Sequence, residues 1–357
     1  MTAIRVIGTG LIGTSAGLAL SRAGYDVTLE DPSPTAQTLA RDLGAGTLDA
    51  DAIPDLVVVA APPDVTGSVV ASALGRWPSA VVTDVASVKV AILRDVVSRR
   101  ADLSRYVGSH PMAGRERSGT IAARGDLFQG RAWVVVPHEG SDPDAVALVA
   151  RVATDTGAAV RLMDPEGHDA AVAAVSHVPQ VAASLVAARL RDLTEPALAL
   201  SGQGLRDVTR IAASDERLWT QILAGNAGAV REVLAALHAD LGEVIAALAT
   251  VGTAEGVGAL EVLARTIGNG NLGYALIPGK HGAAPTTYAI VAVVVPDEPG
   301  MLGRLLVAVG EAGVNLEDLE LEHGLGLPFG IAEIAVLPGS AEHLARELTR
   351  RGWRLHS

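Results

Sequence analysis

The sequence predicts an α/β chain in three parts: a doubly wound parallel sheet over residues 1–163, an all-helical middle segment over 164–280, and a small ferredoxin-like unit over 286–357. Three observations carry this reading. Short apolar, β-branched runs alternate with helix-period segments up to Met163, the pattern of parallel strands joined by crossover helices. From His168 to about Leu248 such runs vanish, and apolar residues recur at helical spacings of three and four. After a Pro- and Gly-rich linker at Pro278–Pro285, the order becomes strand, helix, strand, strand, helix.

In chain order, Ala3–Ile7 is a buried strand and Leu11–Ala23 an apolar helix. Asp26–Glu30 is a second strand, followed by a helix over Pro34–Leu43. Leu56–Ala60 (Leu-Val-Val-Val-Ala) is a strand buried on both faces that ends at Pro62-Pro63, and Ala80–Thr83 and Trp133–Val136 are of the same kind. The pattern changes at Met163-Asp164-Pro165. Leu218–Leu248 then carries a helical face too long and apolar to stand alone in water. It is expected to pack in a bundle and to offer part of its surface to a second copy of the chain, giving a homodimer; an ordinary internal core is the alternative. Beyond the linker, Tyr288–Val295, Asn315–His323 and Ile331–Leu337 are strands, and Gly300–Ala312 and Ala341–Arg351 are helices.

Of the 357 residues, 49% are hydrophobic and 19% charged, a composition of folded domains rather than of disorder. Cys is absent, so no disulfide framework or thiolate metal site is possible, and no metal is expected. A net charge of −12 speaks against a nucleic-acid partner. The chain opens directly into a strand without a signal pattern, and Gly, Asp or Arg interrupt its apolar runs short of a bilayer-spanning length. The expectation is a soluble cytoplasmic protein with no membrane partner.

Gly8-Thr9-Gly10-Leu11-Ile12-Gly13 falls between the first strand and the first helix, the context in which G-x-G-x-x-G cradles a pyrophosphate. Gly8 permits the tight turn, Gly10 lets backbone approach the ligand, and Gly13 lets helix and strand pack closely. Leu11 and Ile12 open the helix whose free N–H groups and positive dipole end face the phosphates. The fingerprint asks for a carboxylate about 20 positions on. Asp31 lies 18 positions after Gly13, with Glu30 beside it. A carboxylate there accepts ribose hydroxyls and repels a 2′-phosphate, and the nearest following cation, Arg41, is too late to clamp one. A Rossmann domain with NAD as cofactor, rather than NADP, is therefore predicted.

Four further stretches have no structural necessity: Thr83–Lys89 (Thr-Asp-Val-Ala-Ser-Val-Lys), Gly108–Gly114 (Gly-Ser-His-Pro-Met-Ala-Gly), Ser176–Gln180 (Ser-His-Val-Pro-Gln) and Gly204–Ser214 (Gly-Leu-Arg-Asp-Val-Thr-Arg-Ile-Ala-Ala-Ser). The first two are expected to follow strands of the sheet and to face a cofactor at its carboxyl edge. Together the four resemble prephenate dehydrogenase, and with the tail the resemblance spans nearly the whole chain. It implies that NAD takes hydride from a cyclohexadienol while the hydroxyl loses its proton and carbon dioxide leaves. By that resemblance His110 is the base, which suits a neutral imidazole. A hydrogen-bonded turn residue is the alternative for His110. Ser87 matches a family serine near the substrate hydroxyl and the nicotinamide; it is also placed to cap a helix.

The substrate carries carboxylates, and Arg210 matches the family arginine that grips one of them, guanidinium being suited to two parallel hydrogen bonds. Arg206, four positions earlier, would share its helix face, two solvated surface arginines being the alternative. Asp207 is placed to orient His177 or pair with an arginine. His177 and Ser214 join the substrate-binding set, and Trp219 lines the pocket or belongs to the core. The family's prephenate-using members often read Ser-His-Leu-Pro-His where this chain ends in Gln180. An amide both donates and accepts, so Gln180 suits the keto group of prephenate or the amine of arogenate. Prephenate is preferred.

In the tail, Val295–Leu302 (Val-Pro-Asp-Glu-Pro-Gly-Met-Leu) and Ala312–Asp318 (Ala-Gly-Val-Asn-Leu-Glu-Asp) resemble an ACT domain, a regulatory module that binds amino acids. The resemblance implies feedback by tyrosine, with a purely structural module as the alternative. Other ACT-bearing dehydrogenases fit less well, because the glycine fingerprint starts at Gly8 and the middle segment lacks strands. A non-catalytic NAD and amino-acid sensor would have no need of Ser87, His110 and Arg210 together.

Overall fold

The computed structural model of the chain describes residues 2–114, 119–253, 256–277, 288–323 and 328–356. The predicted linker Pro278–Pro285 lies outside the described residues. The chain divides into two compact units, Met1–Leu241 and Gly242–Ser357.

Seven strands form the sheet of the first unit: β1 (Ala3–Ile7), β2 (Asp26–Glu30), β3 (Leu56–Val59), β4 (Val81–Asp84), β5 (Tyr106–Pro111), β6 (Ala132–Val136) and β7 (Ala159–Leu162). Their order is β2-β1-β3-β4-β5-β6-β7. β1 to β5 are parallel, whereas β6 is antiparallel to β5 and β7 parallel to β6. The expectation of a wholly parallel sheet is corrected at that point. Among the described residues the β5–β6 connection holds only a short 3-10 turn, Thr120–Ala122, and without a crossover helix a neighbouring strand returns antiparallel.

Helices α1 (Leu11–Arg22), α2 (Pro34–Asp42), α3 (Pro63–Arg76), α4 (Val90–Ser98) and α5 (Pro143–Asp155) connect the strands. The valine run of β3 is continuous because both of its faces are buried: Leu56 and Val58 join Ile4, Val6 and Leu20, while Val57 and Val59 join Val70, Leu74 and Ile92. Strand order reverses between β1 and β3, which makes the carboxyl end of β1 the topological switch point where such sheets bind ligands.

The glycines at that point have separate causes. Gly8 has φ +98°, and a Cβ there would overlap the Ala60 carbonyl. A Cβ on Gly13 would overlap the Gly8 carbonyl oxygen. Around Gly10 a Cβ would meet nothing within 4 Å. The protein's own packing thus requires Gly8 and Gly13 but leaves Gly10 unexplained, as expected of a residue kept small for a ligand.

After β7 the unit is helical: α6 (Pro165–Val172), α7 (Val178–Arg189), α8 (Glu195–Leu198), α9 (Gln203–Thr209), α10 (Glu216–Gly225) and α11 (Ala227–Thr250), whose last turns belong to the second unit. Asp164 caps α6 through the Gly167 N–H at 2.7 Å, with Pro165 in the first turn. A π turn, Ala173–His177, joins α6 to α7. The predicted face over Leu218–Leu248 is interrupted at Asn226 (φ −121°, ψ 29°), which ends α10. Two helical stretches, Pro165–Asp192 and Ala227–Thr250, are long enough to span a bilayer and each contains an 18-residue window of mean hydropathy 1.5, which corrects the expectation that apolar runs stop short of that length. Isolated polar residues interrupt an apolar run without breaking a helix, so such a window extends across them.

The second unit contains α12 (Ala259–Tyr274), β8 (Ala289–Pro296), α13 (Met301–Glu311), β9 (Asp318–His323), β10 (Phe329–Val336), α14 (Pro338–Arg350) and β11 (Arg354–Leu355). Its antiparallel sheet has the order β11-β8-β10-β9, a ferredoxin-like βαββαβ arrangement. β11 was not predicted, because two residues are too few to show a period. Val291, Val293 and Val295 alternate inward onto Leu305, Val309, Leu344 and Leu348.

The glycine geometry gives an expected outcome. Gly13→Ala should lower the unfolding free energy by about 1–3 kcal/mol, the cost of forced overpacking. Gly10→Ala should stay within about 0.5 kcal/mol of wild type, as for an unconstrained surface site. Urea unfolding of the two variants checks this.

Candidate active site

At the switch point, no side chain caps the start of α1, so Leu11 and Ile12 open it with unshared N–H groups. Asp31 follows β2. Its Oδ2 accepts the Thr9 N–H at 2.6 Å and the Thr9 hydroxyl at 3.0 Å, and its Oδ1 accepts the Ser33 N–H at 2.8 Å. The carboxylate is thus fixed against the glycine turn. Beside it lies a cavity of about 370 Å³, lined in part by Glu30, Pro32, Val69 and Arg76. In space, a cation distant in sequence also borders this cavity. Arg76, at the end of α3, pairs with Glu30 at 2.9 Å and stacks on Trp77 at 4.3 Å. The open cradle at Gly10 and the oriented Asp31 fit a dinucleotide.

Further along the carboxyl edge, β4 and β5 lie side by side, with Asp84 opposite Gly108. Ser87 stands in the turn after β4, half-buried. The Gly108–Gly114 stretch does not follow a strand as predicted: Gly108–Pro111 is the second half of β5. Tyr106 and Val107 alone among its residues have strong strand character, so the pattern hid it. His110 is buried on this strand.

His110 belongs to a chain of buried groups. Its Nδ1 lies 2.9 Å from Nε2 of His168, the rings meeting edge to face. His168 Nδ1 lies 2.8 Å from Oδ1 of Asp169. Asp169 also accepts the Lys89 N–H on Oδ1 and the Val90 N–H on Oδ2, each at 2.9 Å. Asp169, not Ser87, therefore satisfies the first N–H groups of α4, which corrects the capping alternative for Ser87. His168 and Asp169 were missed in the sequence; the available signal was an adjacent His-Asp pair running into the small, apolar Ala170-Ala171-Val172.

The third histidine is His177, at the end of the π turn. Its Nδ1 lies 3.2 Å from the amide nitrogen of Asn226, which donates to the Asp169 carbonyl at 2.7 Å. The expected Asp207–His177 contact is not made, since Asp207 accepts from Gln203 at 2.7 Å. Trp219 is half-buried and meets His177 edge-on at 6.0 Å. One turn past His177, Gln180 is buried, and its Oε1 lies 3.3 Å from the Ser214 hydroxyl. Arg206 and Arg210 are exposed. α9 ends at Thr209 and a 3-10 turn begins at Arg210, so the two do not share a continuous α-helical face as expected.

Below His110 lies a buried ion pair. The Lys89 ammonium donates to Asp84 and, at 2.7 Å, to the Ser109 carbonyl. The Tyr106 hydroxyl donates to the other Asp84 oxygen at 2.8 Å. Burial pushes the Lys89 pKa down, opposed by Asp84, and pushes that of Tyr106 well up. Burial first, then the proximity of His168, Lys89 and His177, holds the His110 pKa well below the ordinary histidine value. Burial likewise lowers His177 to about 4. Both imidazoles are neutral at physiological pH. Such an arrangement can accept a proton from a bound hydroxyl.

Removing one partner of the Lys89–Asp84 pair strands the other charge. Lys89→Met should lower the unfolding free energy by about 3–5 kcal/mol, measured by urea unfolding.

Comparison with known proteins agrees with this geometry. Residues 16–162 match the prephenate dehydrogenase nucleotide-binding domain and residues 164–260 the prephenate dehydrogenase dimerization domain. The chain is 40% identical over 359 residues to the probable prephenate dehydrogenase NovF of Streptomyces niveus, covering 99% of each. A crystal structure of A. aeolicus prephenate dehydrogenase in complex with hydroxyphenyl propionate and NAD+ is similar at 28% identity and TM-score 0.65, over 76% of this chain and 98% of that one. Synechocystis arogenate dehydrogenase is similar at 25% identity and TM-score 0.63, over 76% and 99%. The chain belongs to the prephenate dehydrogenase family, and its N-terminal sheet is that family's nucleotide-binding domain.

Proposed function

We propose that the protein is an NAD-dependent prephenate dehydrogenase, converting prephenate to 4-hydroxyphenylpyruvate and carbon dioxide in tyrosine synthesis. The observation that carries this is His110: a neutral, buried imidazole on β5, at the edge of the sheet that also holds the glycine cradle. When bound, NAD supplies the acceptor for the hydride leaving ring carbon C4. His110 accepts the hydrogen bond of the C4 hydroxyl and draws its proton as the hydride departs. Ser87 donates near the same hydroxyl. Arg210, with Arg206 beside it in sequence, offers guanidinium to the substrate carboxylates. His177, Gln180, Ser214 and Trp219 line the ring and side-chain end. Gly8, Gly10, Leu11, Ile12, Gly13 and Asp31 hold the dinucleotide.

Arogenate is the second reading, favoured by the Gln180 amide, which accepts from an amine as readily as it donates to a keto group. On this proposal residues 1–163 bind NAD, 164–280 bind substrate and pair two subunits, and 286–357 form an ACT module taking tyrosine. The homodimer reading rests on the dimerization-domain match and on the apolar faces of α11 and α12, where Ile245, Leu248, Ile267 and Leu272 are exposed. Two such faces closing on each other, rather than a bilayer, explain their hydropathy and suit a cytoplasmic protein.

Purified protein should form NADH with prephenate, and more slowly or not at all with arogenate; turnover of neither would end this reading. His110→Asn should lower kcat by about 10²–10⁴-fold, the usual worth of a general base. Because the His110 pKa lies below 6.5, its neutral form persists as pH falls through that value. A pH profile of kcat/KM should therefore stay level through pH 6.5 and fall only in more acidic solution. A half-loss at or above pH 6.5 would contradict the assignment.

A further inference from the structure

We propose that His168 and Asp169 are positioning residues that fix the tautomer of His110, and that Asp169 also sets the tautomer of His177 through Asn226. The inference rests on the dehydrogenase reading for its consequence, but the hydrogen-bond geometry stands independently.

The logic is one of donors and acceptors. An ionised carboxylate only accepts. Asp169 holds its two oxygens against the N–H groups of Lys89 and Val90, where only an acceptor can stand. The nitrogen of His168 that lies 2.8 Å from Oδ1 is therefore protonated. We take His168 as neutral, so that its opposite nitrogen carries the lone pair; a protonated His168 would donate there and reverse the assignment, an outcome the spectrum below distinguishes. That nitrogen, His168 Nε2, faces His110 Nδ1 at 2.9 Å, so His110 must donate from Nδ1. The lone pair of His110 is left on Nε2. The base thereby has a defined accepting nitrogen before any substrate arrives.

The backbone carbonyl of Asp169 runs the opposite argument. It accepts from Asn226 at 2.7 Å, which fixes the orientation of that amide with its NH₂ inward. The same NH₂ faces His177 Nδ1 at 3.2 Å, making Nδ1 the acceptor and leaving the proton on Nε2. One residue thus gives two neighbouring neutral imidazoles opposite polarity, His110 Nε2 accepting and His177 Nε2 donating. A free imidazole in water samples both tautomers and favours the proton on Nε2, which is the wrong one for His110 here.

The test has a spectroscopic arm and a kinetic arm on the full-length protein. With ¹⁵N-labelled histidine, long-range ¹H–¹⁵N spectra should show His110 protonated on Nδ1 and His177 on Nε2. His168→Leu removes the acceptor. It should move the His110 proton toward Nε2 and lower kcat by about 10²-fold or more, the scale of general-base catalysis, with little change in KM for NAD. His168→Gln restores a carbonyl facing His110 and an NH₂ facing Asp169, and should recover most of kcat. Wild-type His110 protonated on Nε2 would overturn the proposal, as would a folded His168→Leu turning over within twofold of wild type. Where His168→Leu does not fold, the wild-type spectrum and the Gln variant decide. A protein that oxidises neither cyclohexadienol but shows the stated tautomers would fail the dehydrogenase reading and leave the tautomer assignment intact.

Discussion

The carboxylate of Asp169 joins the nucleotide-binding domain's helix α4 to the helical segment that follows the sheet. It comes from the first turns of α6 and accepts the two N–H groups that open α4, so it acts as a cap supplied from 80 positions away. A helix start carries unshared N–H groups and a partial positive charge, and a carboxylate answers both. Because His168 is its neighbour in sequence, the same bond that docks α6 on α4 also delivers an imidazole to β5. Placement of the imidazole pair and attachment of the helical segment therefore depend on the same contact.

Electrostatics around β5 follow from that placement. Lys89 lies below His110 as a buried ammonium whose charge Asp84 compensates. A buried pair of this kind gives little net stability, since desolvation offsets much of the attraction. Its value lies in geometry: through the Ser109 carbonyl it grips the backbone immediately before His110, and through Asp84 and Tyr106 it ties β4 to β5. Burial first, and then the neighbouring His168, Lys89 and His177, make a charged His110 unfavourable, so the imidazole stays neutral without a direct carboxylate partner. A carboxylate in direct contact would instead have raised its pKa.

On the nucleotide side, steric demands and ligand demands separate cleanly. Gly8 and Gly13 are required by the chain's own packing, and Gly10 is not. Asp31 is held by Thr9, the residue between Gly8 and Gly10, so the glycine turn and this carboxylate form one unit. Arg76 spends its charge on Glu30 and its flat face on Trp77, which leaves Asp31 without a neutralising guanidinium among its described hydrogen bonds.

What the sequence determined by itself is local. The valine run of β3, the glycine turn opening α1 and the change from strand to helix period near Met163 all reflect burial or sterics acting within a few residues, and each is legible without coordinates. His110, Ser87 and Arg210 were singled out through three separate stretches that no packing rule requires and that resemble the family. Tertiary structure alone decided the rest. It turned β6 antiparallel, laid Gly108–Pro111 into a strand, brought Arg76 to Glu30 across 46 positions, and set His168 against His110 across 58. Periodicity records which face of an element is buried, whereas a hydrogen bond depends on placement to within a few tenths of an ångström. That precision arises only when elements far apart in the chain are packed together.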